Sequence, residues 1–558
     1  MLASVSQTPD RTTTLARLGS QSFDIVVVGG GVTGLGVALD AASRGLRVAL
    51  VERDDLASGT SSKSSKLIHG GVRYLQQGEI GLVYEALHER QRLRRNAPHL
   101  VQTLPFMIPI LKRDGVVSKK IARALGSALW IYDITGGWRI GKFHRRLKAD
   151  KAFKHLPTMQ RERLGSAYLY FDATADDARI CVGLARTAMQ YGAVVSNYTC
   201  VDKILHDESG HACGVRITPQ ASTLGESAWT GSFDIHARVV INAAGVWSDE
   251  VLTSDEGHNP DSIRPAKGVH LTVPWKKVRN DIAVVIPVPG DKRSLFLVPW
   301  IPNFDGTYQY TYIGTTDTDY EGSIDDPQCT GKDIDYVLKA LNASITSDVT
   351  RDDVTAVWSG LRPLVKSVSG EKANSRTSDL SRRHKVATSK SGMITVTGGK
   401  LTTYRKMAQD AVAAALLVLE ISARCRTKSL RFVGAINLTD EKKISPTDQH
   451  LFSRFGSEIK VIHELISHDA SLGEPLIPGL PYLRAEAVFA VTHEMARTLD
   501  DILTRRTRCR LLNRRASVAG ARQVATLIAP LLNWSAQDIE LQITQFVESC
   551  AREDSAAL

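Results

Sequence analysis

Residues 25–52 read IVVVGGGVTGLGVALDAASRGLRVALVE, and this one stretch constrains the chain more than any other. An apolar β-branched run, Ile25 to Val28, enters Gly29-Gly30-Gly31-x-Thr33-Gly34, continues into a helix with small residues on one face, and returns as a second apolar run ending at Glu52. The pattern is a strand, turn, helix and strand in register. Gly29 permits the tight turn, Gly31 lets backbone approach a pyrophosphate, and Gly34 lets helix and strand pack closely. Free amides and the positive end of the helix dipole then face the phosphates. Glu52 is placed to accept from a ribose hydroxyl. An acid rather than an arginine at this strand end disfavours a 2′-phosphate, which leaves FAD and NAD as candidates ahead of NADP.

A chain of 558 residues exceeds one hydrophobic core and implies about two to four domains. Hydrophobic and charged fractions of 43% and 23% fit a globular protein. The longest apolar candidate, 411–419, falls short of the roughly 20 residues that cross a bilayer. Residues 1–21 contain Arg11 and Arg17 but no apolar h-region, so they read as a disordered extension and not as a secretory signal; their Ser and Thr content leaves organelle targeting open. The seven cysteines show no CxxC spacing or Cys/His cluster, which points to a reducing compartment and to no metal.

The net charge of +11 is concentrated. Between Lys112 and Lys154, twelve Lys and Arg accompany three Asp, interleaved with Leu129-Trp130-Ile131-Tyr132 and Trp138. Anionic lipid headgroups would attract such a surface, with its aromatics at headgroup depth. A solvated basic face with its aromatics in the core fits the same composition.

Beyond the fingerprint, a Ser-rich loop carries Thr60, Ser61, Ser62, Ser65, Lys66, Leu67 and His69 into a Gly70-Gly71 turn. Hydroxyls and free amides there suit an extended dinucleotide. A helix is expected at 79–95, a second mononucleotide-like unit at 179–200, and strands near 212–217 and 237–242. The last of these enters the small-residue turn Ala243-Ala244-Gly245-Val246-Trp247, a second approach point for a cofactor. Alternation with Pro and Gly breaks over 264–300 and 307–317 predicts an inserted antiparallel sheet at about 255–375. Residues 393–396 predict the last strand of the nucleotide domain, followed by Gly398-Gly399-Lys400-Leu401-Thr402 and a helix over 406–420. Four contact points along one ligand favour FAD over NAD. The domains read as 22–424 for cofactor and substrate, and 425–558 as all-helical, with periodic segments at 446–467, 484–506, 517–531 and 535–552.

The motifs GGGVTGLG, TSSKSSKLIHGGVRYL, FDATADDAR, NAAGVWSD, KGVHL, IGTTDTDY, WSGLRPL, SRRHKV, GGKLTTYR and MARTLDDILTRRTR occur in order over residues 22–545. In them the chain resembles the FAD-dependent glycerol-3-phosphate dehydrogenases of the aerobic, membrane-associated, quinone-linked type. The resemblance implies an α/β fold: a glutathione-reductase-like FAD-binding Rossmann domain with an inserted antiparallel substrate sheet, plus a C-terminal all-helical domain. It implies a substrate site made of Arg73, Tyr74, His270, Arg362, Arg382 and Lys400, with Arg376 as a competitor to Arg382. Such cations suit a small phosphate dianion. Among them His270, Arg362 and Lys400 are expected to carry the chemistry. Hydride would pass from C2 of glycerol 3-phosphate to FAD while a base takes the hydroxyl proton. His270 is the preferred base because its ordinary pKa lies near working pH, with a purely structural histidine as the rival.

Partners implied are glycerol 3-phosphate, a membrane quinone and an anionic membrane surface, at the inner face of the cytoplasmic membrane. No nucleic acid is expected; the sequence leaves the oligomeric state open, a homodimer included. An oxidase passing electrons to oxygen shares nearly every motif. A flavin-dependent RNA-modifying or RNA-binding protein, suggested by the charge, lacks a recognised RNA-binding module. A flavin-binding protein without catalysis is disfavoured by the pocket cations.

Overall fold

A computed structural model describes residues 7–75, 78–112, 119–220, 231–291, 293–366, 383–436 and 445–557. Two large sheets organise it. The first runs in the order His384–Thr388, Ile394–Gly398, Phe233–Asn242, Phe23–Val28, Val48–Val51, Val194–Ser196. Its central strands are parallel and in register, Val28 opposite Asn242 and Val51. Both faces of Phe23–Val28 are covered, which is why its run is almost unbroken in apolar residues. This register sets the Gly29 turn beside the Ala243 turn at the carboxyl ends of the strands, where open α/β sheets bind ligands.

The second sheet has ten strands. Ile263–Pro274, Ala283–Pro287, Ser294–Pro302, Tyr308–Gly314 and Ala356–Val365 lie in the expected insertion. The insertion is not self-contained, however. Ala283 and Val284 pair in parallel with Phe106 and Met107, and Val101–Leu111 pairs along its length with Leu164–Ala175. Four of the ten strands of the substrate sheet are thus donated by residues 67–175, because the unpaired edge at Ala283–Pro287 is covered by a distant strand rather than by solvent.

The N-terminal segment also departs from expectation. Residues Arg11–Ser20 are helical, not disordered: Asp10 caps the first turn through Thr13 N, Leu15 and Leu18 are buried against the sheet, and the Arg11 guanidinium donates to the carbonyls of Asn197 and Tyr198. The leucines three apart give this helix one apolar stripe, and burial of that stripe outweighs the polar composition.

Residues 446–557 are helical, as expected, over Pro446–Phe455, Ile459–His468, Arg484–Glu494, Arg514–Leu532 and Ala536–Ala557. The single helix anticipated at 484–506 is broken instead. It stops at Met495, whose φ is 61°, and resumes as a π-helical turn over Asp501–Arg506. The break turns Arg505, Arg506 and Arg508 inward to carboxylates of the nucleotide domain.

Candidate functional site

A long channel follows the carboxyl ends of the parallel strands. At one end stand Glu52 and Thr199–Asp202; Gly29, Gly31, Thr33, Thr60 and Ser61 line its middle with Ala243, Ala244, Gly245 and Trp247; Pro363 and Gly398–Leu401 close the other end. Backbone builds most of this wall. Gly29 has φ 111° and a Cβ there would sit 2.7 Å from the Ala243 carbonyl oxygen; at Gly34 it would lie 1.9 Å from the Gly29 oxygen. Gly30 works behind the wall: its N–H donates to Glu52 Oε2 at 2.6 Å, and Asp54 N–H donates to Oε1 at 2.8 Å. Burial pushes the Glu52 carboxyl up to about 7 against the pull of those two donors. Ser61 Oγ accepts from Val32 N–H at the helix start, tying the Ser-rich loop to the fingerprint.

This shape fits FAD. Amides stand at a helix N-terminus in mid-channel, an acid stands at the far strand end, and a glycine pair at 398–399, both with positive φ, brings backbone against the opposite end. Ser62, Ser65, Lys66, Leu67, His69 and Thr402 do not line the channel. Lys66 is buried and donates to Asp177 Oδ1 and the Ser62 carbonyl, while Thr402 Oγ1 accepts from His69 N–H. Thr199–Asp202, Glu250 and Ser254 line it without having been anticipated. Thr199 N–H donates to the Glu52 carbonyl across 147 residues, a relation that no local pattern carries.

The expected substrate residues adjoin the Pro363–Lys400 end. His270 faces Gly314 on one neighbouring strand and Trp358 on the other. Its imidazole stacks on Trp358 with centroids 4.7 Å apart, Nε2 meets Ser65 Oγ at 2.8 Å, and Nδ1 is buried without a hydrogen-bond partner among the described residues. Burial, reinforced by Lys66 and Arg362, holds this histidine well below its ordinary pKa. The expectation of a pKa near working pH is corrected accordingly: the ring is neutral there. Arg362, half-buried, pairs with Asp317 Oδ1 at 2.8 Å, and a Cβ on Gly268 would meet its Nη2 at 3.1 Å. Lys400 Nζ stands 3.8 Å from the Tyr74 ring centroid. His270 and Arg362 are thus brought together, as are Lys400 and Tyr74. The side chain of Arg73 lies outside the described residues, as do Arg382 and Arg376.

The basic aromatic stretch divides between its two readings. On the helix Lys119–Thr135, Trp130, Ile131 and Ile134 are exposed, with Phe143 beyond it, while Leu129 and Tyr132 are core. Tyr132 OH reaches Asp172 at 2.7 Å and accepts from Gly70 N–H at 3.0 Å. Among the described residues, no helix is long and apolar enough to cross a membrane.

Comparison with known proteins bears on the same regions. The FAD dependent oxidoreductase family model matches residues 24–405, and that for the C-terminal domain of alpha-glycerophosphate oxidase matches 425–539. Glycerol-3-phosphate dehydrogenase 2 of Mycobacterium tuberculosis (strain ATCC 25618 / H37Rv) is 38% identical over 544 residues, covering 95% of this chain and 88% of that protein. The mitochondrial glycerol-3-phosphate dehydrogenase of Mesocricetus auratus is 35% identical over 552 residues, covering 94% and 73%. The crystal structure of the glycerol-3-phosphate dehydrogenase from Bacillus halodurans, complexed with FAD, superposes with a TM-score of 0.75 at 28% identity and covers 98% of this chain and 97% of its own.

Proposed function

The chain belongs to the FAD-dependent glycerol-3-phosphate dehydrogenase family, and from that membership we propose that it oxidises sn-glycerol 3-phosphate to dihydroxyacetone phosphate and delivers the electrons to a membrane quinone. FAD bound in the channel supplies the hydride acceptor. The protein's own residues bind, orient and deprotonate. Arg362 and Lys400 supply fixed positive charge for the phosphate and for the alkoxide that develops at C2. Tyr74 lies under the Lys400 ammonium and positions that cation. From the family resemblance, Arg73 and Arg382 are proposed as further ligands of the phosphate.

One observation carries the base assignment. His270 Nδ1 is a buried nitrogen with no partner among the described residues, in a ring kept neutral by burial and by two cations. With Nε2–H donating to Ser65 Oγ, the tautomer this role requires, Nδ1 is a buried acceptor that a substrate hydroxyl would satisfy. The neighbouring cations that lower its proton affinity also stabilise the alkoxide, so the loss in basicity is offset at the substrate.

The acceptor and the membrane are supported by the outward face of Lys119–Thr135, where Trp130, Ile131 and Ile134 stand exposed within the most cationic stretch of the chain. Aromatic and aliphatic side chains seat at headgroup depth while the surrounding Lys and Arg meet anionic lipid. The proposed location is therefore the inner face of the cytoplasmic membrane, held peripherally.

The test is anaerobic addition of glycerol 3-phosphate to the purified holoenzyme. Flavin bleaching is expected, followed by fast reoxidation with a soluble quinone and slow reoxidation with oxygen. An unbleached flavin refutes the substrate. Fast reoxidation by oxygen with peroxide formation replaces the quinone by an oxidase reaction. Flotation with anionic vesicles is expected to fail for Trp130→Ser/Ile134→Ser, and equal flotation of this variant and the parent removes the membrane face.

A further inference from the structure

Two charged motifs that the proposed chemistry leaves unused, around Asp176-Asp177 and around Arg505–Arg508, meet in the interior. Arg508 leaves the π-helical turn of the helical domain, is buried, and donates through Nη2 to Asp177 Oδ1 at 2.5 Å and through Nε to Asp176 at 3.1 Å. The same buried Asp177 carboxylate accepts from Lys66 Nζ at 3.1 Å, Ser64 N–H at 3.0 Å and Ser64 Oγ at 2.7 Å. One carboxylate thus joins the helical domain to both neighbours of Ser65.

Ser65 is held on its other sides as well. Its carbonyl accepts from Tyr312 OH at 2.9 Å, and the Ser64 carbonyl accepts from Trp358 Nε1 at 3.2 Å. What remains is the Ser65 hydroxyl, 2.8 Å from His270 Nε2. Stacking on Trp358 sets the plane of the imidazole but not which nitrogen faces which way. The Ser65 contact decides that, and it leaves Nδ1 unpaired. Buried ion pairs add little net stability, since desolvation offsets their attraction, so the lattice is better accounted for by the geometry it imposes.

We propose that Asp177 and Arg508 are positioning residues for His270: they clamp Ser64 and Lys66, so that the Ser65 hydroxyl between them holds the imidazole with Nδ1 presented to the substrate. The helical domain thereby takes part in the geometry of the reaction without touching substrate. This inference rests on the reading of His270 as the proton acceptor.

The experiment follows the limiting rate and half-saturating concentration of anaerobic flavin reduction by glycerol 3-phosphate, with FAD content measured alongside, in holoenzyme carrying Ser65→Ala, Ser65→Thr, Arg508→Lys and the Ser65→Ala/Arg508→Lys pair. Ser65→Ala and Arg508→Lys are each expected to retain FAD and to lower the limiting rate about tenfold, with less than about a threefold change in half-saturation. Ser65→Thr, which keeps the hydroxyl, is expected to recover the rate. The double variant is expected to be no slower than the slower single one, because both remove the same contact. A parental rate in Ser65→Ala overturns the proposal, and so does additive loss in the double variant. If Arg508→Lys yields no soluble protein, Asp177→Asn takes its place in the same cycle. Failure of the parent protein itself to bleach refutes the proposed activity instead, so the two failures are distinguishable.

Discussion

The two ends of the channel are built from different materials. The fingerprint end is largely backbone: Gly29, Gly31 and the amides around them come from one contiguous segment that ends at Glu52, whose carboxylate accepts from Gly30 N–H. The other end is side chains. His270, Arg362 and Lys400 come from three strands or turns of two sheets, and Ser65 joins them from a loop. A site made of backbone is sensitive to a single added methyl group and indifferent to most charges. One made of side chains is sensitive to charge and hydrogen bonding, and depends on sheet register for its assembly.

Substitutions can break that contrast. The largest effect is expected at the side-chain end: Arg362→Ala should lower kcat/KM for glycerol 3-phosphate by about a thousandfold, roughly 4 kcal/mol, with FAD content unchanged. Steady-state kinetics on FAD-loaded protein checks this, and parental kinetics would remove Arg362 from the pocket. Next is Gly34→Ala, whose methyl would meet the Gly29 carbonyl oxygen and which should cost about 3 kcal/mol of stability and release FAD on gel filtration. Retained FAD with an unchanged Tm would show that the fingerprint yields more readily than its geometry implies. Glu52→Gln comes third, at about 2 kcal/mol of FAD affinity, because an amide cannot accept at both oxygens from Gly30 and Asp54. Fluorescence titration of the ligand-free protein would measure it.

The smallest effect sharpens the contrast through pH. In the fold, burial keeps His270 neutral, with Lys66 and Arg362 adding to the effect, and burial lowers His493 to about 4 and His99 to about 3. The unfolded chain takes these protons near pH 6.5, so stability falls as pH drops below that value, by about 1.4 kcal/mol per pH unit for each histidine. Glu52 runs the other way. Raised to about 7 from the 4.5 of an ordinary glutamate, it stabilises below 4.5 and loses that contribution as pH rises to about 7. In thermal melts of ligand-free protein between pH 5 and 6.5, His270→Asn should flatten the pH dependence and Glu52→Gln should steepen it. Identical slopes for both variants would mean that the two ends do not titrate as described.

Legibility in the sequence followed the same division. The Gly29–Glu52 unit, the Ala243 turn and the Gly398-Gly399 turn were each readable in place, since strand, turn and helix there rest on contacts between near neighbours. Arg11–Ser20 was missed because its two buried leucines carry little weight amid polar residues. Thr199–Asp202 was missed because its place beside Glu52 depends on a strand pairing, and the recruitment of Val101–Leu111 into the substrate sheet was missed for the same reason. The ordinary pKa expected of His270 is lowered in the fold, since burial and neighbouring cations are not properties of a motif.

Residue order alone therefore determined the glycine turn of an FAD-binding fold and a set of cations suited to a small phosphate ester, because turn geometry and charge are local properties. Only the tertiary structure decided which nitrogen of His270 is left unpaired among the described residues, that Lys66 belongs to Asp177, and that the helical domain meets Asp177 through Arg508. Those outcomes depend on desolvation and on register between strands hundreds of residues apart, and neither exists until the chain has closed on itself.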